Sequence, residues 1–119
     1  SHTMGDSDPA ATFGHVAREL KRRGIAFICA RESLDGTRLG PMIKHEFGGV
    51  FIANEKFNLG RAQQVLDAGE ADAVAFGKAF IANPDLPRRF ASGAALNPWD
   101  ASTFYTPGAA GYVDYPALA

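Results

Sequence analysis

Three times in this chain a segment of helical periodicity ends on glycine and gives way within a few residues to a short run of apolar residues, and that repeat restricts the fold more than any other feature. In the first copy Phe13, Val16, Ala17 and Leu20 recur at helical spacing behind Asp6-Ser7-Asp8-Pro9, which supplies cap residues and an early proline. A helix is predicted from Pro9 to Lys21-Arg22-Arg23-Gly24, with positive charge in its last turn and glycine after it. The run Ile25 to Ala30 follows and reads as a strand buried on both faces. In the second copy a short helix over Gly40 to Phe47 is followed by Gly48-Gly49 and the strand Val50 to Ala53. In the third, Leu59 to Ala68 carries Ala62, Val65 and Leu66 on one face, Gly69 closes it, and Asp72 to Phe76 is the strand. Strands separated by helices pair in parallel, because each crossover returns the chain to the same end of the sheet. The fold class is therefore α/β, with three parallel strands.

Such a sheet needs cover on two sides, and the chain has no further strand to offer. At 119 residues it is also too short for a complete barrel of eight βα units, which takes roughly 200 or more. After Asn83-Pro84-Asp85-Leu86-Pro87 a short helix is expected from Leu86 to about Ala91, and then an irregular tail rich in glycine, proline and aromatic residues. Three regions result: residues 1–4, which look like a tag or cloning remnant, the helix–strand repeats of 5–92, and the tail of 93–119 packed over one end of the sheet.

With 46% hydrophobic and 21% charged residues the composition is that of a globular domain. The net charge of −1 is spread along the chain and shows no basic face, so neither nucleic acid nor membrane is an expected partner. No apolar stretch approaches the roughly 20 residues of a membrane span. The single cysteine, Cys29, excludes an internal disulfide and fits a reducing compartment, so a cytoplasmic protein is expected, with Cys29 buried and inert.

In parallel α/β folds ligands bind beyond the carboxyl ends of the strands, and barrels often hold a phosphate on the last two such loops. Asn54-Glu55-Lys56-Phe57 and Gly77-Lys78 occupy two of these positions. A glycine there admits a close ligand, its amide can donate to a phosphate oxygen, and the lysine adds charge. On spacing alone an ordinary surface loop accounts for Gly-Lys better than a phosphate cradle does. His15 and His45 fall on polar helix positions without metal-ligand spacing, and His2 is given no function. Neither Ser7 nor Ser33 has a histidine arranged as its base. Arg31-Glu32-Ser33 follows the first strand and could face a ligand, but a local salt bridge is the simpler reading.

The stretch DAVAFGKAFIANPDLPRRF, Asp72 to Phe90, followed by LNPWDASTFYTPGAAGYVDYPAL, Leu96 to Leu118, resembles the C-terminal end of Old Yellow Enzyme-type flavin oxidoreductases. The likeness extends back through GGVFIANEKF to ARELKRRGIAF and so covers nearly everything after Met4. It implies the last three βα units of a parallel (β/α)8 TIM barrel that binds FMN, takes reducing equivalents from NADH or NADPH, and passes hydride to an activated alkene. Carried over residue by residue, it assigns the FMN phosphate to backbone groups around Ala53, Asn54 and Glu55 and to Gly77 with Lys78. Many relatives have arginine at the last of these, and lysine keeps the charge but not the planar fork. Tyr112 of GYVDYP matches a tyrosine that lines the substrate pocket, and Phe104 and Tyr105 are expected to pack. The resemblance places no catalytic residue in this chain.

The family's substrate-holding pair and proton donor lie N-terminal to the part present, so an N-terminal barrel chain of the same enzyme is the expected partner. The other reading is a half-barrel that self-associates as a structural or interaction module without redox activity.

Overall fold

In a computed structural model, residues 5–32 and 38–119 are described; Ser1–Met4, with the supposed tag and His2, and Ser33 lie outside the described residues. The chain divides into two compact units, Ser1–Ala75 and Phe76–Ala119. The first contains α1 (Pro9–Arg22), β1 (Phe27–Arg31), α2 (Gly40–Phe47), β2 (Val50–Asn54), α3 (Leu59–Asp67) and β3 (Ala73–Val74). The second contains α4 (Lys78–Ala82), α5 (Leu86–Ser92) and a 3-10 turn at Ala101–Thr103.

The helices begin and end where local chemistry requires. Asp8 caps α1 by accepting from the Ala11 N–H, with Pro9 behind it, and Asn58 caps α3 through the Arg61 N–H. Gly48 ends α2 at φ 68°, a left-handed conformation that suits glycine, and a Cβ on Gly49 would lie 2.6 Å from the Phe47 ring. The Gly48-Gly49 pair thus lets the chain turn tightly from α2 into β2.

The three strands are parallel in the order β1-β2-β3, with Phe27 opposite Val50 and Ile52 opposite Ala73. This register aligns Ile28, Ala30, Phe51, Ala53 and Val74 on one face. Their core partners are Ala17, Ile43, Phe47, Val65 and Ala71. The third strand is shorter than expected, yet its ladder runs further: Asp72 N–H donates to Phe51 O and Ala75 N–H to Ala53 O.

The expectation of strands buried on both faces is corrected. Phe27 is 53% and Val50 48% exposed, and Cys29, expected to be buried, is exposed as well. The helices of this unit pack on one face, and alternation along β1 turns Phe27 and Cys29 to the other. An apolar groove of about 320 Å³, lined by Phe13, Val16, Leu20, Ile28 and Leu39 among others, runs between α1 and β1. The stripe on α1 is accordingly half exposed.

Asp72 joins the sheet to α2. It accepts from the Phe51 N–H at 2.9 Å and from the Lys44 ammonium at 3.0 Å, and these two contacts, the first the stronger, hold its carboxyl below the usual carboxylate range. A depressed folded-state value stabilises the fold at neutral pH, and that contribution disappears as pH falls from about 4 through the folded value. Urea melts are expected to show stability declining with acid below about pH 4, less steeply in Asp72→Asn than in the parent. Parallel declines would remove Asp72 from the acid response.

Candidate functional site

Beyond β2 the backbone takes an uncommon path. Glu55 (φ 104°) and Lys56 (φ 55°) are consecutive non-glycine residues at positive φ. The first value is well outside the left-handed well, and residues held in such regions cost on the order of 1–3 kcal/mol each and gather at functional sites. The strand that leads here ends on Asn54, whose side-chain Oδ1 accepts from the Glu55 N–H at 2.6 Å. Asn54 also accepts at its carbonyl from the Glu32 N–H, which anchors the turn to the strand end of β1.

Charges around this turn are mutually compensated. The Arg31 guanidinium donates to Glu55 at 2.8 Å, which raises the Arg31 pKa further; the partner is 24 residues away rather than in the local salt bridge expected of that strand end. Glu32 turns to the N-terminus of α2 and accepts from the N–H groups of Leu39 and Gly40. It supplies the cap that Leu39 cannot, with its negative charge at the positive end of the helix. Sequence reasoning missed this role because the cap arrives from a strand end seven residues upstream of Leu39 rather than from the cap position itself.

The expected site residues fall in both units. Ala53, Asn54 and Glu55 are consecutive at the end of β2. Ala53 is 8% exposed on the helix-covered face and its carbonyl is taken by the Ala75 N–H, so it offers a ligand no side chain. Asn54 lies in alternation with Val50 and Ile52 on the opposite, more open face. In the second unit Gly77 precedes α4, a helix the sequence reading did not anticipate, and Lys78 is its first residue. No side chain caps α4, and apart from its chain neighbours nothing lies within 4 Å of where a Cβ on Gly77 would sit. The Lys78 ammonium stands 6.0 Å from the centre of the Trp99 ring, at the outer reach of a cation–π contact.

Tyr112 follows a turn in which its N–H donates to Ala109 O, and its ring is 80% exposed. Tyr105, expected to pack, is 98% exposed, since the polypeptide from 98 to 115 buries none of its residues. His15 and His45 are exposed, as their helix positions implied. Among the described residues no cluster of His, Cys, Asp or Glu could hold a metal ion, and no helix is long and apolar enough to cross a membrane.

No protein-family model matches the chain. It is similar to a putative 12-oxophytodienoate reductase 3 of Oryza sativa subsp. japonica, with 40% identity over 95% of this chain and 32% of the relative. It is also similar to a probable flavin mononucleotide-dependent alkene reductase of Leishmania infantum, at 38% over 97% and 32%. Among solved structures, morphinone reductase in complex with tetrahydroNAD superposes with a TM-score of 0.89 at 46% identity, over 97% of this chain and 32% of that one. The Old Yellow Enzyme homologue from Zymomonas mobilis gives 0.88 at 41%, over 95% and 34%. The chain spans about a third of the length of the curated relatives it matches.

Proposed function

The chain belongs to the Old Yellow Enzyme family, and on that footing we propose that it is the C-terminal part of an FMN-dependent ene-reductase that uses NAD(P)H to reduce activated C=C bonds. The strained turn at Glu55-Lys56, immediately beyond Asn54, is the observation that carries this reading. Backbone of this kind persists where the surrounding structure holds it for a purpose, and here it stands at the strand end where the family resemblance puts the cofactor phosphate. A glycine with open space beside it, an uncapped helix start and a lysine make up a donor set that suits a phosphate in the second unit.

FMN, when bound, supplies the two-electron chemistry. This chain's residues bind and orient it: Asn54 and Glu55 shape one loop, Ala53 contributes backbone alone, and Gly77 with Lys78 presents amide donors and a positive charge. Arg31 neutralises the Glu55 carboxylate, which would otherwise repel an approaching phosphate. Tyr112 contributes an amphipathic wall to the substrate pocket. No residue of this chain is assigned a proton-transfer step.

The open face of β1 and β2 and the groove beside α1 support completion by the remaining barrel strands, carried by an N-terminal barrel portion. An absorption spectrum and intact masses of the purified protein test the reading together. Flavin absorbance in a species that contains the missing strands is the expected result. A colourless homodimer of this chain, stable and cooperatively folded, would establish the self-associating module instead.

A further inference from the structure

The motif IANPDLP enters none of the cofactor contacts, yet it builds the most extensive buried polar network of the second unit. Arg89 is 5% exposed and Asn83 fully buried. Asp85 accepts from Arg89 Nε at 2.8 Å through one oxygen and from the Leu118 N–H at 2.8 Å through the other. The two terminal nitrogens of Arg89 donate to the carbonyls of Ala95 (2.6 Å) and Pro116 (2.8 Å). Asn83 accepts from the Asn97 N–H at 2.7 Å, while the Asn97 side-chain amide donates to Ala82 O and, at 2.8 Å, to Pro116 O. Carbonyls and amides on both sides of the segment 98–115 are thereby tied to the stretch from Ala82 to Arg89.

Within this chain that segment has little else to hold it. None of its residues is buried, its regular structure is one 3-10 turn, and its internal ties are short-range except for the Asp100 N–H to the Tyr115 hydroxyl. Within this chain hydrophobic burial does not fix the loop, and loops longer than about 12–15 residues without structure of their own are uncommon unless functional. We propose that Arg89, set by Asp85 and supported by the Asn83–Asn97 pair, is a positioning residue that closes the base of loop 98–115 and so holds Tyr112 in place for substrate. Planarity matters here: one guanidinium serves a carboxylate and two carbonyls in a single plane, a geometry lysine cannot reproduce.

The inference rests on the proposed placement of Tyr112 in the substrate pocket, and its test separates the two. In the completed flavoprotein, Arg89→Met should speed amide hydrogen exchange and chymotryptic cutting within 98–115 by about tenfold or more, the scale of losing several charge-assisted hydrogen bonds. KM for the alkene should rise by about as much while FMN affinity stays at the parent value, and Arg89→Lys should recover part of the loss. Should Arg89→Met fail to fold, Asn97→Ala removes one of the two straps to Pro116, with the bond to Ala82 O, and leaves the Asp85–Arg89 pair at the start of α5 intact. Unchanged exchange across 98–115 in the folded variants would overturn the clasp. A loosened loop with unchanged KM would uphold the clasp and instead remove Tyr112 from the substrate pocket.

Discussion

Replacing Phe51 by alanine is expected to destabilise the fold by about 3–5 kcal/mol, within reach of the whole stability of a domain of this size. Phe51 is 2% exposed in the central strand, and its ring lies among Ile43, Phe47, Val65 and the small residues Ala17, Ala53 and Ala71. Small neighbours cannot collapse into the void a phenyl ring leaves, so the cavity cost adds to the lost transfer free energy. Gly40 packs closely here, since a Cβ there would stand 2.7 Å from the Glu32 carboxylate and 3.4 Å from the Phe51 ring. The backbone at this position is also bound on both sides by Asp72, through its side chain and its N–H. Phe51→Leu, which retains most of the volume, should lose far less. Urea unfolding of the completed protein measures both, and equal midpoints for Phe51→Ala and the parent would mean the core is not organised around this ring.

FMN affinity should fall by roughly ten- to a hundredfold in Lys78→Met, the scale of a hydrogen bond to a charged group. Methionine keeps the length and apolar stem of lysine and removes the ammonium, together with its distant approach to the Trp99 face. Lysine meets a phosphate as a point charge, so the loss should shrink with added salt. Lys78→Arg restores a cation able to bind two oxygens at once and should equal or exceed the parent. Flavin fluorescence titration at two ionic strengths reads all three proteins. A Lys78→Met protein that binds FMN as tightly as the parent would take Lys78 out of the phosphate site and leave the family assignment untouched.

The order of elements was legible because each rests on local chemistry. The Asp8-Pro9 start of α1, the left-handed Gly48 behind α2, and the apolar runs of β1 and β2 are consequences of residues a few positions apart. Helix α4 was missed since its five residues, Lys78–Ala82, are too few to display a period. Cys29 is exposed in this chain for another reason: an apolar run reveals that a strand is suited to burial, whereas the covering layer is supplied by other elements.

Much less of the site could be read. Asn54 and Gly77-Lys78 stand out as candidates through strand-end position and family likeness, but nothing in Asn-Glu-Lys-Phe announces two positive φ angles, for neither glutamate nor lysine favours them. The pairing of Arg31 with Glu55 and the reach of Glu32 to α2 depend on register between strands and on a helix start beyond a loop. The bonds from Arg89 to Ala95 and Pro116 likewise require the tail to return to α5.

For this protein the sequence by itself determined a parallel α/β arrangement of three strands and a likeness to one flavoenzyme family, both carried by spacing and by motifs along the chain. Tertiary structure alone decided which face of the sheet is covered, how the turn after β2 is held, and that the NPDLP motif clasps the tail. These are contacts between residues distant in sequence, and their energies depend on distances that exist once the chain has folded.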